Sequence, residues 1–90
     1  MNFRVETING RHLLCGGIVP AHMVKAGQRW APASGTDREV LIKSAGEWVD
    51  YSWEENGEFR MHTKMNFDFQ CRYCLILDKP EVPDELMEAT

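Results

Sequence analysis

Two short spacings of potential metal ligands occur in the chain, one toward each end. His12-x-x-Cys15 lies in the N-terminal part and Cys71-x-x-Cys74 in the C-terminal part. Each has the spacing of a metal-binding knuckle, and together they would supply one Cys₃His tetrahedral zinc site. Against this, residues 69–77 alternate as a strand does, and residues three apart on a strand point to opposite faces. The sequence therefore predicts no metal site and no cofactor, with a Cys₃His zinc-binding module as an alternative.

The remaining residues that could take part in catalysis lack the neighbouring groups that a catalytic site requires. A redox role for Cys71-x-x-Cys74 would place Cys71 at a helix N-terminus, and the sequence predicts no helix after it. His62 falls opposite Asp50 in the hairpin predicted below, as an oriented general base would. Since no nucleophile or oxyanion loop accompanies it, a surface charge pair is the simpler interpretation. We predict that the chain is not an enzyme.

Tryptophan and arginine side chains are the candidates for binding. Trp30, Trp48 and Trp53 could stack on nucleic-acid bases, but aromatic and arginine side chains are also the usual anchors of protein interfaces. Trp53 and Trp30 suit a core, and Trp48 suits the rim of a surface. As candidate contacts with a partner we name Trp48, Trp30 and Arg11.

The composition narrows the class of partner. Ninety residues make one domain, and the formal net charge of −4 disfavours generic nucleic-acid binding, which needs clustered lysine and arginine. No apolar run approaches membrane-spanning length, and the first ten residues lack an apolar signal region. We expect a cytoplasmic protein whose three cysteines are reduced.

Residues 47–63 are predicted to form the hairpin around which the chain is organised, because apolar and polar residues alternate on both sides of Asn56-Gly57. A two-residue loop at Asn56-Gly57 would mix the two faces. We therefore predict a three-residue loop, with Glu55 added and Gly57 left-handed. This register places the apolar groups on one face by pairing Trp53 with Phe59, Tyr51 with Met61, and Val49 with Thr63.

The remaining elements follow from shorter signals. Asn-Gly between two alternating runs predicts a first hairpin at residues 3–15. Residues 34–37 have the composition of a turn, and residues 81–90 are acidic and contain a proline. We further predict a helical turn within residues 21–26 and strands at residues 28–32, 38–44 and 69–77.

Short strands joined by tight turns predict an all-β fold. The Gly27-x-x-Trp30 strand, the Val40-Leu41-Ile42 run and the closing Phe69-x-x-x-Tyr73 segment resemble the small SH3-like barrels of bacteriophage and prophage proteins. The resemblance covers residues 27–77. It implies an SH3-like core at residues 27–78, preceded by a hairpin and connection at residues 1–26 and followed by an irregular acidic tail at residues 79–90.

Acidity, small size and the resemblance together favour a non-catalytic protein-interaction module that is phage- or prophage-encoded and binds a host protein. The alternative is a small nucleic-acid-binding barrel, favoured by the aromatic content and the more basic N-terminal part. The sequence identifies neither the partner nor the oligomeric state.

Overall fold

The structure, a computed structural model, describes residues 3–32 and 38–87. Its strands and helices are short, and tight turns join several of them. In chain order they are β1 (Arg4–Ile8), β2 (Arg11–Cys15), a single 3₁₀ turn (Ala21–Met23), β3 (Arg29–Pro32), β4 (Val40–Ser44), β5 (Trp48–Glu55), β6 (Glu58–Met65), α1 (Asn66–Arg72), β7 (Tyr73–Leu77) and α2 (Asp84–Met87). The turn predicted at residues 34–37 lies outside the described residues.

The strands form one antiparallel sheet in the order β1-β2-β7-β3-β4-β5-β6. The all-β class predicted from the sequence is therefore confirmed. Strand β7 pairs with β2 on one side and with β3 on the other. Within the described ranges no pairing joins β1 to β6, so the sheet has two free edges.

One face of the sheet, the inner face, carries the hydrophobic core. The pairings place Leu14, Leu75, Trp30, Ile42 and Tyr51 on this face, and all five are buried in one cluster. Segments outside the sheet complete the cluster, since it also contains Val19, Val24, Phe69 and Leu86. The helices and the 3₁₀ segment therefore cover the inner face, and the opposite, outer face has no such cover from them.

Helix α1 corrects the strand predicted at residues 69–77, of which only Tyr73–Leu77 is a strand. The alternation of Phe69, Cys71 and Tyr73 suggested a strand, but helical spacing buries Asn66, Phe69 and Gln70 together and leaves Cys71 exposed. Asp68 in the first turn and Arg72 in the last suit the helix dipole.

The buried side-chain amides of Asn66 and Gln70 fix α1 to the loops beside it. Gln70 Nε2 donates to Asn66 Oδ1 at 2.7 Å, as residues four apart on a helix can. Gln70 Oε1 also accepts a hydrogen bond from the Val19 backbone N–H at 2.8 Å, and Gln70 Nε2 donates one to the Val19 carbonyl at 3.0 Å. Asn66 Nδ2 donates to the Gly46 carbonyl at 2.9 Å. These bonds satisfy polar groups that would otherwise be costly to bury.

The C-terminal segment is more ordered than the irregular tail that the sequence suggested. Helix α2 follows Pro83, whose carbonyl accepts the Leu86 amide at 3.0 Å. Leu86 is 1% exposed and belongs to the core cluster, and Val82 packs against that cluster. Residues 82–86 are therefore part of the domain.

The first hairpin is confirmed with its turn. β1 pairs with β2 in a continuous register that ends at Ile8 and Arg11. Asn9 has φ of 52° and Gly10 has φ of 77°, the two positive values that a two-residue type I′ turn requires.

The register predicted for the central hairpin is wrong by one residue. Its turn is also the two-residue type, with φ of 52° at Asn56 and 80° at Gly57. Glu55 therefore pairs with Glu58, and the partners along the hairpin are Trp53 with Arg60, Tyr51 with His62, Val49 with Lys64 and Trp48 with Met65. The predicted pair of Asp50 with His62 is replaced by the pair of Asp50 with Thr63. The turn's geometry, rather than a shared apolar face, sets the register.

Replacing Gly57 with valine should lower the free energy of unfolding by about 1–2 kcal/mol, because a β-branched residue resists positive φ. A Cβ at Gly57 would meet nothing within 4 Å, so the cost is that of the backbone conformation alone. Gly46→Val is the matched control, since Gly46 also has open space but no positive φ. Equal thermal melting of the two variants would contradict the turn assignment.

Among the described residues, no helix has the length and apolar character needed to cross a membrane.

Candidate protein-interaction surface

The outer face of the central hairpin carries a group of exposed apolar side chains, which we call the hairpin face: Trp48, Phe59, Met61 and Met65. Their exposed fractions are 56%, 81%, 65% and 47%. The described residues include only two other large hydrophobic side chains with comparable exposure, Phe67 and Met87. Concentration of four such groups on one hairpin differs from the scattered single exposures of ordinary surfaces.

The turn at Asn56-Gly57 places these side chains on the outer face. Because Tyr51 on the inner face pairs with His62, the even-numbered residues of β6 point inward and the odd-numbered ones outward. Phe59, Met61 and Met65 are odd-numbered. Strand β6 therefore differs from the other strands of the sheet in that its apolar residues point away from the core and most of its polar residues point toward the inner face.

The hairpin face is extended rather than compact. Phe59 and Met65 are six residues apart on one strand face, which corresponds to about 20 Å. Trp48 lies beside Met65 in the cross-strand pair that closes one end. Phe67, 63% exposed, follows Met65 by two residues at the start of α1. This length fits an extended segment of another protein chain better than a small molecule.

Two carboxylates lie on the hairpin face, Glu54 opposite Phe59 and Asp50 opposite Thr63. Asp50 accepts a hydrogen bond from the Ser44 hydroxyl at 2.6 Å and another from the Thr63 hydroxyl. The bond from Ser44, followed by that from Thr63, lowers the pKa of the Asp50 carboxyl below its ordinary value. Asp50 is therefore ionised at neutral pH and adds a negative charge to the middle of the hairpin face.

Away from the central hairpin, near β2 and β3, charged side chains that form ion pairs cover the same outer face. Arg11 Nε lies 2.9 Å from Glu39 Oε1, and Arg29 Nη1 lies 3.7 Å from Glu39 Oε2. Leu13 and Ala31, on the same face by their pairings, are 2% and 1% exposed. Apolar groups are thus buried at this side and left open on the hairpin face.

The inner side of β6 is cationic instead. It carries Arg60, His62 and Lys64, and the His62 ring meets the Tyr51 ring edge-on with centroids 5.9 Å apart. Nearby, the Arg38 guanidinium lies 4.3 Å from the centroid of the Trp53 ring. Glu55 and Glu58 approach Arg60 at 3.9 Å and 3.5 Å and offset part of this charge.

The three cysteines line one cleft of about 290 Å³. Cys15 and Cys74 would pair directly if the register of β2 with β7 continued by two residues beyond Leu13 and Ile76. Cys15 Sγ donates to Glu6 Oε2 at 3.4 Å. Burial, followed by the neighbouring Cys74, raises the pKa of Cys15 to about 12, and burial also raises the pKa of Cys74. Both thiols are therefore protonated at neutral pH and are poor nucleophiles.

His12 does not join the cysteines. It shares a cross-strand pair with Thr7, whose hydroxyl lies 2.9 Å from His12 Nδ1, on the face opposite Cys15. The rule that residues three apart on a strand face opposite ways thus separates His12 from Cys15. It does not apply to Cys71, which lies on α1. In residues 3–32 and 38–87, no group of three or more histidine, cysteine or acidic side chains could hold a metal ion.

At neutral pH one thiol per folded chain, that of Cys71, should react rapidly with an aromatic disulfide reagent, because Cys71 is exposed and the other two are partly buried and protonated. Absorbance of the released thiolate measures the rate. Cys71→Ser should remove the rapid phase, and Cys15→Ser should leave it. Two rapid equivalents in the native protein would contradict the placement of these thiols.

The structure separates the three residues named as partner contacts. Trp48 is exposed on the hairpin face. Trp30 is 2% exposed in the core, edge-on to Phe69 at 5.2 Å, so a partner cannot reach it in this conformation. Arg11 is held by Glu39.

Sequence reasoning missed Phe59, Met61 and Met65 as surface residues. Their alternation with Arg60, His62 and Lys64 is visible in the sequence, but it shows only that the two sets face opposite ways. The signal that could have found them is Asn56-Gly57, which favours a two-residue loop.

No protein-family model matches the chain, and neither a curated protein nor a solved structure matches it.

Proposed function

We propose that the chain is a small, non-catalytic protein-interaction module whose hairpin face binds another protein. The observation that carries the proposal is the exposure of four large apolar side chains on the outer face of one hairpin. Leaving apolar area in water is unfavourable, by roughly 25 cal/mol per Å². Burial against a partner recovers that free energy, and concentrations of exposed apolar groups mark interaction sites.

The hairpin face also indicates the chemistry of the partner. Trp48, Met61 and Met65 offer aromatic and flexible thioether surface, which suits an apolar segment. The ionised Asp50 favours a basic group near the middle of that segment. In keeping with the phage SH3-like resemblance, the proposed interaction takes place in the cytoplasm of a bacterium, with a host protein as the partner.

The test is affinity purification from bacterial lysate with matched surface variants. Wild-type protein should retain one specific protein, and Met61→Glu should abolish its retention by adding an unpaired charge to the surface. Met87→Glu is the control, because Met87 is 61% exposed but lies on α2. Equal melting temperatures would show that both variants fold. Equal retention by the two variants, or no specific protein with the wild type, would refute the proposal.

Nucleic-acid binding is a second candidate, favoured by the cationic inner side of β6. Arg60, His62 and Lys64 follow one strand face, and Arg38 stacks on Trp53 beside them. A strand of this kind could track a phosphate backbone. Fluorescence anisotropy with single-stranded DNA and RNA at low salt tests it. Binding that Lys64→Glu weakens would favour this function, and no binding at low salt would remove it.

A further inference from the structure

We infer that β6 is also a dimerisation edge, at which two copies of this chain pair their β6 strands antiparallel about a two-fold axis through Met61. The occupant is a second copy, and the surface is the free backbone edge of β6 rather than the side chains of the hairpin face. The inference is therefore independent of the proposed function.

The backbone of β6 is suited to further pairing. Strand β6 is the last in the sheet order, has eight residues and pairs with β5 without a register shift. It contains no proline. Native edges are blunted by shortness, bulges, proline or charged side chains, and of these features β6 has only the charged side chains of Glu58, Arg60 and Lys64. The other edge, β1, has five residues.

The free hydrogen-bonding groups of β6 can be assigned from the turn. A two-residue hairpin loop is closed by a hydrogen-bonded pair, here Glu55 and Glu58. Since such pairs alternate along the ladder, the even-numbered residues of β6 bond to β5. Phe59, Met61 and Thr63 then direct their N–H and C=O groups to the open edge. In a pairing centred on Met61 these residues exchange about six hydrogen bonds between the two copies, two for each of three residue pairs.

Charge complementarity selects this register. Centring on Met61 places Glu58 of each copy opposite Lys64 of the other, which gives two opposite-charge pairs by symmetry. Centring on His62 would instead place Arg60 opposite Lys64, and centring on Arg60 would place that arginine opposite itself. Like charges opposite each other on a sheet are destabilising. Centring on Phe59 would pair Glu58 with Arg60, but only residues 58–60 of the two strands would then overlap, whereas the Met61 register pairs residues 58–64.

The charges that face this contact come from both strands of the hairpin. Arg60 lies 3.5 Å from Glu58 and 3.9 Å from Glu55, so its charge is offset within its own chain. In the dimer Arg60 meets the ring of His62. On the outer side, Met61 meets its own copy and Phe59 meets Thr63, so that the two hairpin faces join into one longer apolar surface.

Sedimentation velocity on the purified chain, with no other protein present, tests the inference. Wild type should sediment as a dimer. Glu58→Lys and Lys64→Glu should each raise the dissociation constant about tenfold, because each converts two opposite-charge pairs into like-charge pairs. An equimolar mixture of the two variants should form a heterodimer, since lysines at 58 and 64 of one chain then face glutamates at 64 and 58 of the other.

Matched controls keep the test specific. Glu81→Lys and Lys79→Glu change the net charge by the same amounts at exposed positions away from β6, and should dimerise as wild type does. Heterodimer formation shows that both variants are folded. A wild type that is monomeric at about 1 mM would overturn the inference. So would a dimer that the two β6 variants leave unchanged, because the contact would then lie on another surface.

Discussion

Replacing Phe69 with alanine should lower the free energy of unfolding by about 3–5 kcal/mol, the range for a buried aromatic side chain. Phe69 is 0% exposed. Its ring centroid lies 5.2 Å from that of Trp30, 4.9 Å from that of Tyr51 and 4.8 Å from that of Tyr73. The substitution therefore removes the centre of the aromatic cluster that fixes α1 to the sheet. Urea denaturation followed by tryptophan fluorescence measures the effect.

Phe67→Ala is the control on the same helix. Phe67 is 63% exposed, so its loss should change the free energy of unfolding by less than about 0.5 kcal/mol. A strand at residues 67–69 would place Phe67 and Phe69 on one face and give similar effects. Comparable destabilisation by the two substitutions would therefore contradict the helix.

Replacing Leu86 with alanine should cost about 2–5 kcal/mol, although this residue lies in a short helix near the end of the described chain. Leu86 is 1% exposed within the core cluster. The neighbouring Met87 is 61% exposed, and Met87→Ala should have little effect. The two residues are adjacent on the same short helix, so the difference in urea midpoint reports chiefly the difference in their burial.

Loss of Leu86 should also accelerate cleavage of the C-terminal segment by a nonspecific protease, because α2 would dock less often on the sheet. If Leu86→Ala and Met87→Ala have equal midpoints and equal cleavage rates, residues 82–86 do not belong to the core.

Local sequence signals predicted the hairpins well. Asn-Gly flanked by alternating residues identified both, because few residues other than asparagine and glycine adopt the positive φ of a type I′ turn easily. Strand β4, in which Val40 and Ile42 are buried, was visible as a β-branched apolar run. These signals depend on neighbours in the chain, so a single sequence contains them.

The register of the central hairpin required information that the sequence alone does not contain. We assumed that Phe59 and Met61 face the core, as apolar residues on a half-buried strand usually do. The structure shows these residues on the outer face. The assumption failed at the hairpin face, the surface for which we propose a partner.

Short helices were equally hard to predict. Helix α1 has seven residues and α2 has four, lengths at which isolated helices are not stable in water. Phe69, Gln70 and Leu86 stabilise them through contacts with distant segments, such as the bonds from Gln70 to Val19. Those contacts connect residues far apart in the chain and leave no local pattern.

The position of β7 in the sheet has a consequence for the order of folding during synthesis. β7 follows β3–β6 in the chain, yet it lies between β2 and β3 and joins the first hairpin to the rest of the sheet. Leu13 and Ile76 pair across 63 positions (76 − 13). While a ribosome is still translating the middle of the chain, β1 and β2 have no strand to dock on, and Leu13 and Leu14 stay accessible to chaperones. Closure of the sheet must therefore await residues 73–77, and such long-range pairing makes folding slow relative to that of a helical bundle of equal size.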